Sequence, residues 1–136
     1  MSYSVTLNID TPPDPGYTLE VAEAFAECVR LLNHHTRHDG ALEFPAEGDL
    51  LLRYLESAAE RLPQLIDQVV SWYERRAAAG GLLVVAGDYK GDPARAAMML
   101  RMRADAARLS AEHTGEFLRS AAAVTTNLAA AGGDDD

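Results

Sequence analysis

The residues best suited to metal chemistry are His34-His35-Thr36-Arg37-His38. His34 and His38 are four apart, so one helical face would offer both imidazoles to zinc or another transition metal, with Asp39 or Glu43 as oxygen ligands. A closed structural site takes four ligands, no cysteine is available there, and Arg37 puts a like charge beside the cation. The favoured reading is electrostatic: His34 and His38 lie in the last turn of a helix, where imidazolium and Arg37 suit the negative end of the dipole. A His-centred metal-binding protein is the lower alternative, and no cofactor is implied.

The other candidates for chemistry have equally simple structural readings. His113 lies between Glu112 and Glu116, the setting of a general base oriented by an acid, but also on an apolar stripe where a core histidine would sit. Ser110 and Ser120 occupy no nucleophile turn, and Cys28 has Glu27 beside it, the wrong field for a reactive thiolate. Gly87-Asp88-Tyr89-Lys90-Gly91-Asp92-Pro93 precedes a helix but lacks the Gly-Lys-Ser/Thr ending of a phosphate loop, and its aspartates would repel a phosphate. Arg95, Arg101, Arg103 and Arg108 form a candidate DNA-contact stripe. Arg101, Asp105, Arg108 and Glu112 follow one another at helical steps, however, and this favours a solvated or interhelical charge ladder.

The elements carrying these residues are mostly helices. In the central stretch, 49–79, Leu51, Leu55, Ala58, Leu62, Leu65, Val69 and Trp72 recur at steps of four and three, the pattern of a buried seam. A second row, Leu52, Ala59, Ile66 and Tyr73, lies about 100° round the helix. A face that wide requires two neighbours, while Arg53, Glu60, Asp67 and Glu74 mark a solvated side. Asp49 is the expected N-cap, with a start near Pro45 as the alternative. Pro63 interrupts no periodicity, so a kink is expected there rather than a break.

Before this element, residues 1–10 alternate apolar and polar side chains (Tyr3, Val5, Leu7, Ile9), which predicts a short strand paired either to residues 82–86 or to a second subunit. Residues 11–16 carry three prolines and predict a non-helical connection. A helix is expected over 18–38, with Thr18 as its N-cap and Gly40 beyond its end. After Gly80-Gly81, Asp92-Pro93 signals a third helix over 93–129. Met98, Met102, Ala106, Leu109, His113, Phe117, Ala121, Val124 and Leu128 are its main stripe. Ala97, Ala104, Ala107 and Ala111 offer a small-residue face, and Gly115 marks close packing. Residues 132–136 are expected to form a disordered acidic tail.

The expected fold is therefore mostly α: a single helical domain over 1–131, a three-helix bundle built on a long antiparallel hairpin. At 136 residues a self-sufficient core is feasible. The net charge of -9, from 12 Lys+Arg and 21 Asp+Glu, opposes binding to nucleic acid or anionic lipid. It is uneven: residues 1–92 sum to -8, 93–133 to +2, and Asp134–Asp136 to -3. One cysteine excludes an intrachain disulfide and fits a reducing compartment, and the absence of a long apolar run makes a soluble, cytoplasmic protein the expectation. Because the short first helix covers only part of the hairpin, apolar surface is left over. That predicts a homodimer, with Leu52, Ile66, Val70 and Tyr73 as its interaction face.

Val21-Ala22-Glu23-Ala24-Phe25-Ala26-Glu27, Leu32-Asn33-His34 and Arg61-Leu62-Pro63-Gln64-Leu65-Ile66 resemble segments of small helical proteins of plasmids and integrating elements in GC-rich bacteria. The resemblance covers most of residues 18–130. It implies an accessory role in a mobile element and transfers no catalytic or binding residue. The sequence thus points to a non-enzymatic interaction or assembly protein; a DNA-associated regulator using the third-helix arginines is the alternative.

Overall fold

A computed structural model describes residues 4–131. Three helices, α1 (Pro15–His35), α2 (Pro45–Ala78) and α3 (Pro93–Thr125), account for most of them, with a short 3-10 turn at Asp39–Ala41. The chain divides into two compact units, one ending at Glu43 and the other beginning at Phe44. Tyr3 and the acidic tail 132–136 lie outside the described residues.

In the first unit, Asp14 rather than Thr18 caps α1: its Oδ2 accepts the Tyr17 N–H at 2.8 Å, and Pro15 takes the first helical position, where a missing N–H costs nothing. The helix closes at His35, with the Thr36 N–H and hydroxyl both donating to the Leu32 carbonyl. The expected N-terminal strand is not formed among the described residues, and 82–86 forms no strand either. The Tyr17 phenol instead ties down the N-terminal segment. It accepts the Asn8 N–H at 3.0 Å and donates to the Thr6 carbonyl at 2.9 Å. These bonds serve backbone groups that a lone strand would leave unpaired. Of the alternating apolar row, Leu7 is 74 % and Ile9 99 % exposed.

The second unit is an antiparallel hairpin of α2 and α3. Helix α2 starts at Pro45, not Asp49, and the Glu47 carboxylate accepts the Phe44 N–H across the first turn. It runs as one helix of 34 residues, about 50 Å, through Pro63. Its end is a Schellman turn. Gly80, at φ 73°, adopts the left-handed conformation, its N–H bonds the Ala77 carbonyl and that of Gly81 bonds the Arg76 carbonyl. Helix α3 opens as the sequence predicts, with Asp92 accepting the Arg95 N–H at 3.0 Å and Pro93 next.

Small residues form the contact between the two helices. Ala59 and Val70 of α2 are buried, as are Gly115 and Ala122 of α3. A Cβ at Gly115 would lie 3.3 Å from Glu60 Cγ and 3.8 Å from Ala59 Cβ and from the Glu60 backbone N, so the two backbones approach closely there. The α2 row in contact is thus Leu52, Ala59 and Ile66 with Val70, while the α3 face is Ala104, Ala111, Gly115, Leu118 and Ala122. The large apolar stripe of α3 stays outside. Phe117 is 72 % exposed, and Met98, Met102, Leu109, Val124 and Leu128 are exposed as well.

This packing predicts that Val70→Ala lowers hairpin stability by about 2 kcal/mol through lost burial and a residual cavity. Gly115→Leu should cost roughly 1–3 kcal/mol by overpacking. Gly40→Ala, where an added Cβ meets nothing within 4 Å, should leave stability within about 0.5 kcal/mol. Urea unfolding followed by circular dichroism measures all three.

Candidate interaction surface

The hairpin presents two faces of opposite character. One residue after Ala59, Ile66 and Tyr73 on α2 come Glu60, Asp67 and Glu74, and their α3 partners fix which face this is. Arg119 pairs with Glu56 through Nε at 2.9 Å and also with Glu60. Arg101 donates from Nε to Glu74 at 2.7 Å, from Nη1 to Asp67 at 2.7 Å and from Nη2 to Ser71 at 3.1 Å. Arg108 pairs with Asp105 at 3.1 Å, and its Nε is buried without a hydrogen-bond partner. The ladder is therefore interhelical as well as intrahelical.

At the open end of the hairpin, Asp49 ties the start of α2 to the end of α3. It accepts the Thr125 hydroxyl at 2.7 Å and the Arg53 Nε at 2.9 Å, while Arg53 Nη2 reaches the Thr126 hydroxyl at 2.5 Å. The Thr125 hydrogen bond, then that of Arg53, holds the Asp49 carboxyl below the usual carboxylate range. Arg101 does the same to Glu74, and Glu74 with Asp67 raises the Arg101 guanidinium in return.

One residue before each contact position lies the other face. On α2 these positions are Leu51, Ala58, Leu65 and Trp72, with Leu55, Leu62 and Val69 between them, about 160° from the acidic row. On α3, by the same offset from Leu118, Ala122 and Thr125, they include Phe117, Ala121 and Val124. Leu55, Leu65, Val69, Trp72, Phe117 and Val124 are all exposed. The Trp72 ring packs edge-on against Tyr73 at 4.9 Å, and the Arg76 guanidinium lies 5.0 Å from its centroid. At the closed end, Tyr73, Leu82, Val84, Pro93, Ala97 and Leu100 line an apolar cleft of about 260 Å³.

Of the described residues singled out for chemistry, the structure brings together only the histidines at the end of α1. His34 and His38 are exposed with ring centroids 5.5 Å apart, but His38 lies beyond the end of α1. No group of three or more ligands suited to a metal ion occurs among the described residues. His113 is exposed, its ring 6.5 Å from that of Phe117, and Cys28 is a free exposed thiol. Of the candidate DNA contacts, Arg101 and Arg108 are engaged in the ladder, Arg95 lies 5.5 Å from the Tyr89 ring centroid, and Arg103 is exposed. Of the candidate interaction face, Val70 is 2 % exposed inside the hairpin, Leu52 and Ile66 are half-buried, and Tyr73 is exposed. Asp49, Thr125 and Thr126 were not foreseen as a cluster; their separation along the chain hides it, and only the antiparallel register brings them together. No family model, curated protein or solved structure matches the chain.

Because Asp49 and Glu74 have lowered pKa values in the fold, their contribution to stability is present above the unfolded carboxylate range and is lost as pH falls through the folded values. Unfolding midpoints should therefore drop on acidification below about pH 4.5. Arg101→Met should lower the midpoint at neutral pH and flatten part of this dependence. Arg30→Met, which removes only a pair within one turn of α1, should leave the midpoint at neutral pH nearly unchanged.

Proposed function

We propose that this is a non-enzymatic assembly protein that acts in the cytoplasm as a homodimeric helical bundle. The observation that carries the reading is the exposed apolar face of the hairpin, where Leu65, Val69, Trp72 and Phe117 stand in water on one side of a unit whose other side is charged. Contiguous apolar surface of this kind marks a protein contact on a water-exposed helical pair. No helix among the described residues is long and apolar enough to cross a membrane, so a bilayer-spanning use of these side chains has no support. The resemblance of segments 21–27, 32–34 and 61–66 to small proteins of mobile elements suggests the setting: an accessory factor that assembles with itself or with another protein of the element.

Light scattering on the purified chain should return twice the 14.7 kDa chain mass at micromolar concentration. A single-chain mass that persists on concentration would reject the homodimer. The DNA-associated alternative is tested by mobility shift at low salt. With Arg101 and Arg108 neutralised by α2 acids, no salt-dependent retardation of duplex DNA is expected.

A further inference from the structure

Resting on the homodimer reading, we infer that a second copy of this chain covers the apolar face of the hairpin, with the two α2 helices packed antiparallel across a two-fold axis at Leu62. Three observations lead to this arrangement.

The first is charge. An isologous contact brings each residue's surroundings against a copy of themselves, so a like-charged surface repels itself. In a chain of net charge -9, the acidic row of Glu60, Asp67 and Glu74 is poorly suited to self-pairing. The row Leu51, Leu55, Ala58, Leu62, Leu65, Val69, Trp72 holds no charged residue over its full length. It is the α2 surface that can meet itself without repulsion.

The second is register. The steps of this row alternate four and three, the 3.5-residue period of a knobs-into-holes seam. Read in reverse about Leu62, the row matches itself to within one residue. Leu55 falls opposite the partner subunit's Val69, while Leu51 and Ala58 fall within one residue, about 1.5 Å of rise, of the partner subunit's Trp72 and the partner subunit's Leu65. The smallest side chain meets a large one, and Leu62 meets its own copy at the axis. A parallel pairing would instead set Ala58 on Ala58 and Trp72 on Trp72, leaving a gap at one level and crowding at another.

The third is area. The fractional exposures of Leu55, Leu65, Val69, Trp72, Phe117 and Val124, on side chains of about 200 Å², leave on the order of 600 Å² of apolar surface in water on this face. A stable interface buries about 800 Å² on each partner, so the face is of the size one copy would cover. Phe117 and Val124 of α3 flank the α2 row and extend the contact toward the second helix of each hairpin.

The experiment uses the full chain with Cys28→Ser, which removes its single native thiol. Leu62→Cys should give a covalent dimer with a short bis-maleimide. Leu51→Cys alone should not, whereas Leu51→Cys combined with Trp72→Cys should. Separately, Leu65→Glu should raise the dimer dissociation constant about a hundredfold or more by burying an unpaired charge, with helical content unchanged. Self-crosslinking at residue 51, or a dimer indifferent to Leu65→Glu, would overturn this arrangement and leave the homodimer reading standing. A wild-type chain that is monomeric at all concentrations would remove both.

Discussion

The close approach of α2 and α3 at Gly115 and Ala59 is the constraint on which the hairpin unit depends. Backbones can come this near only where side chains are absent or minimal, and the α3 contact face is accordingly made of alanines, a glycine, Leu118 and the stems of two arginines. Small side chains bring helices together well but remove little apolar area from water. Among the described residues no large side chain is fully buried. Stability must then come from elsewhere along the contact, which explains why its edges carry so many polar cross-links.

Those cross-links sit on one side only. Arg119, Arg108 and Arg101 bind the acids of α2 at successive levels, and Asp49 with Arg53 closes the open end on Thr125 and Thr126. Three of the five arginines of residues 93–133 thereby face the acids of α2, while Arg95 and Arg103 stay exposed. Because each pair is partly solvated, its individual contribution is modest and falls with salt. What the set does collectively is fix the rotation of α3 about its axis, and this decides which side chains remain outside.

Much of this was legible from the sequence. The hairpin follows from two long periodic segments joined by a glycine-rich connection, and Asp92-Pro93 announced α3 to the residue. The same dipeptide at Asp14-Pro15 starts α1, but there three prolines within residues 11–16 point to a non-helical connection instead. The choice of inner face was less legible. On α2, periodicity alone assigns the row of Leu65 to the buried seam and leaves Leu52 and Ile66 for a partner, whereas on α3 the small-residue face and Gly115 do mark the close approach. The arginines at 101 and 108 were the available signal. Charged side chains at seam positions make sense only if acids of the other helix receive them, as Asp67 and Glu74 do.

The order in which the hairpin can form is set by its connection, residues 79–92. The polar links nearest to it join Arg101 to Glu74, 27 residues apart, and those at the far end join Thr126 to Asp49, 77 residues apart. Loop-closure entropy grows only slowly with length, yet it must be met before any contact rewards it, so the near end closes at the lowest entropic cost. Once Arg101 has found its acids, each further turn toward Asp49 adds contacts across a loop already closed. The hairpin is thus arranged to zip from its glycine turn outward, and the Asp49–Thr125 end should also be the first to fray.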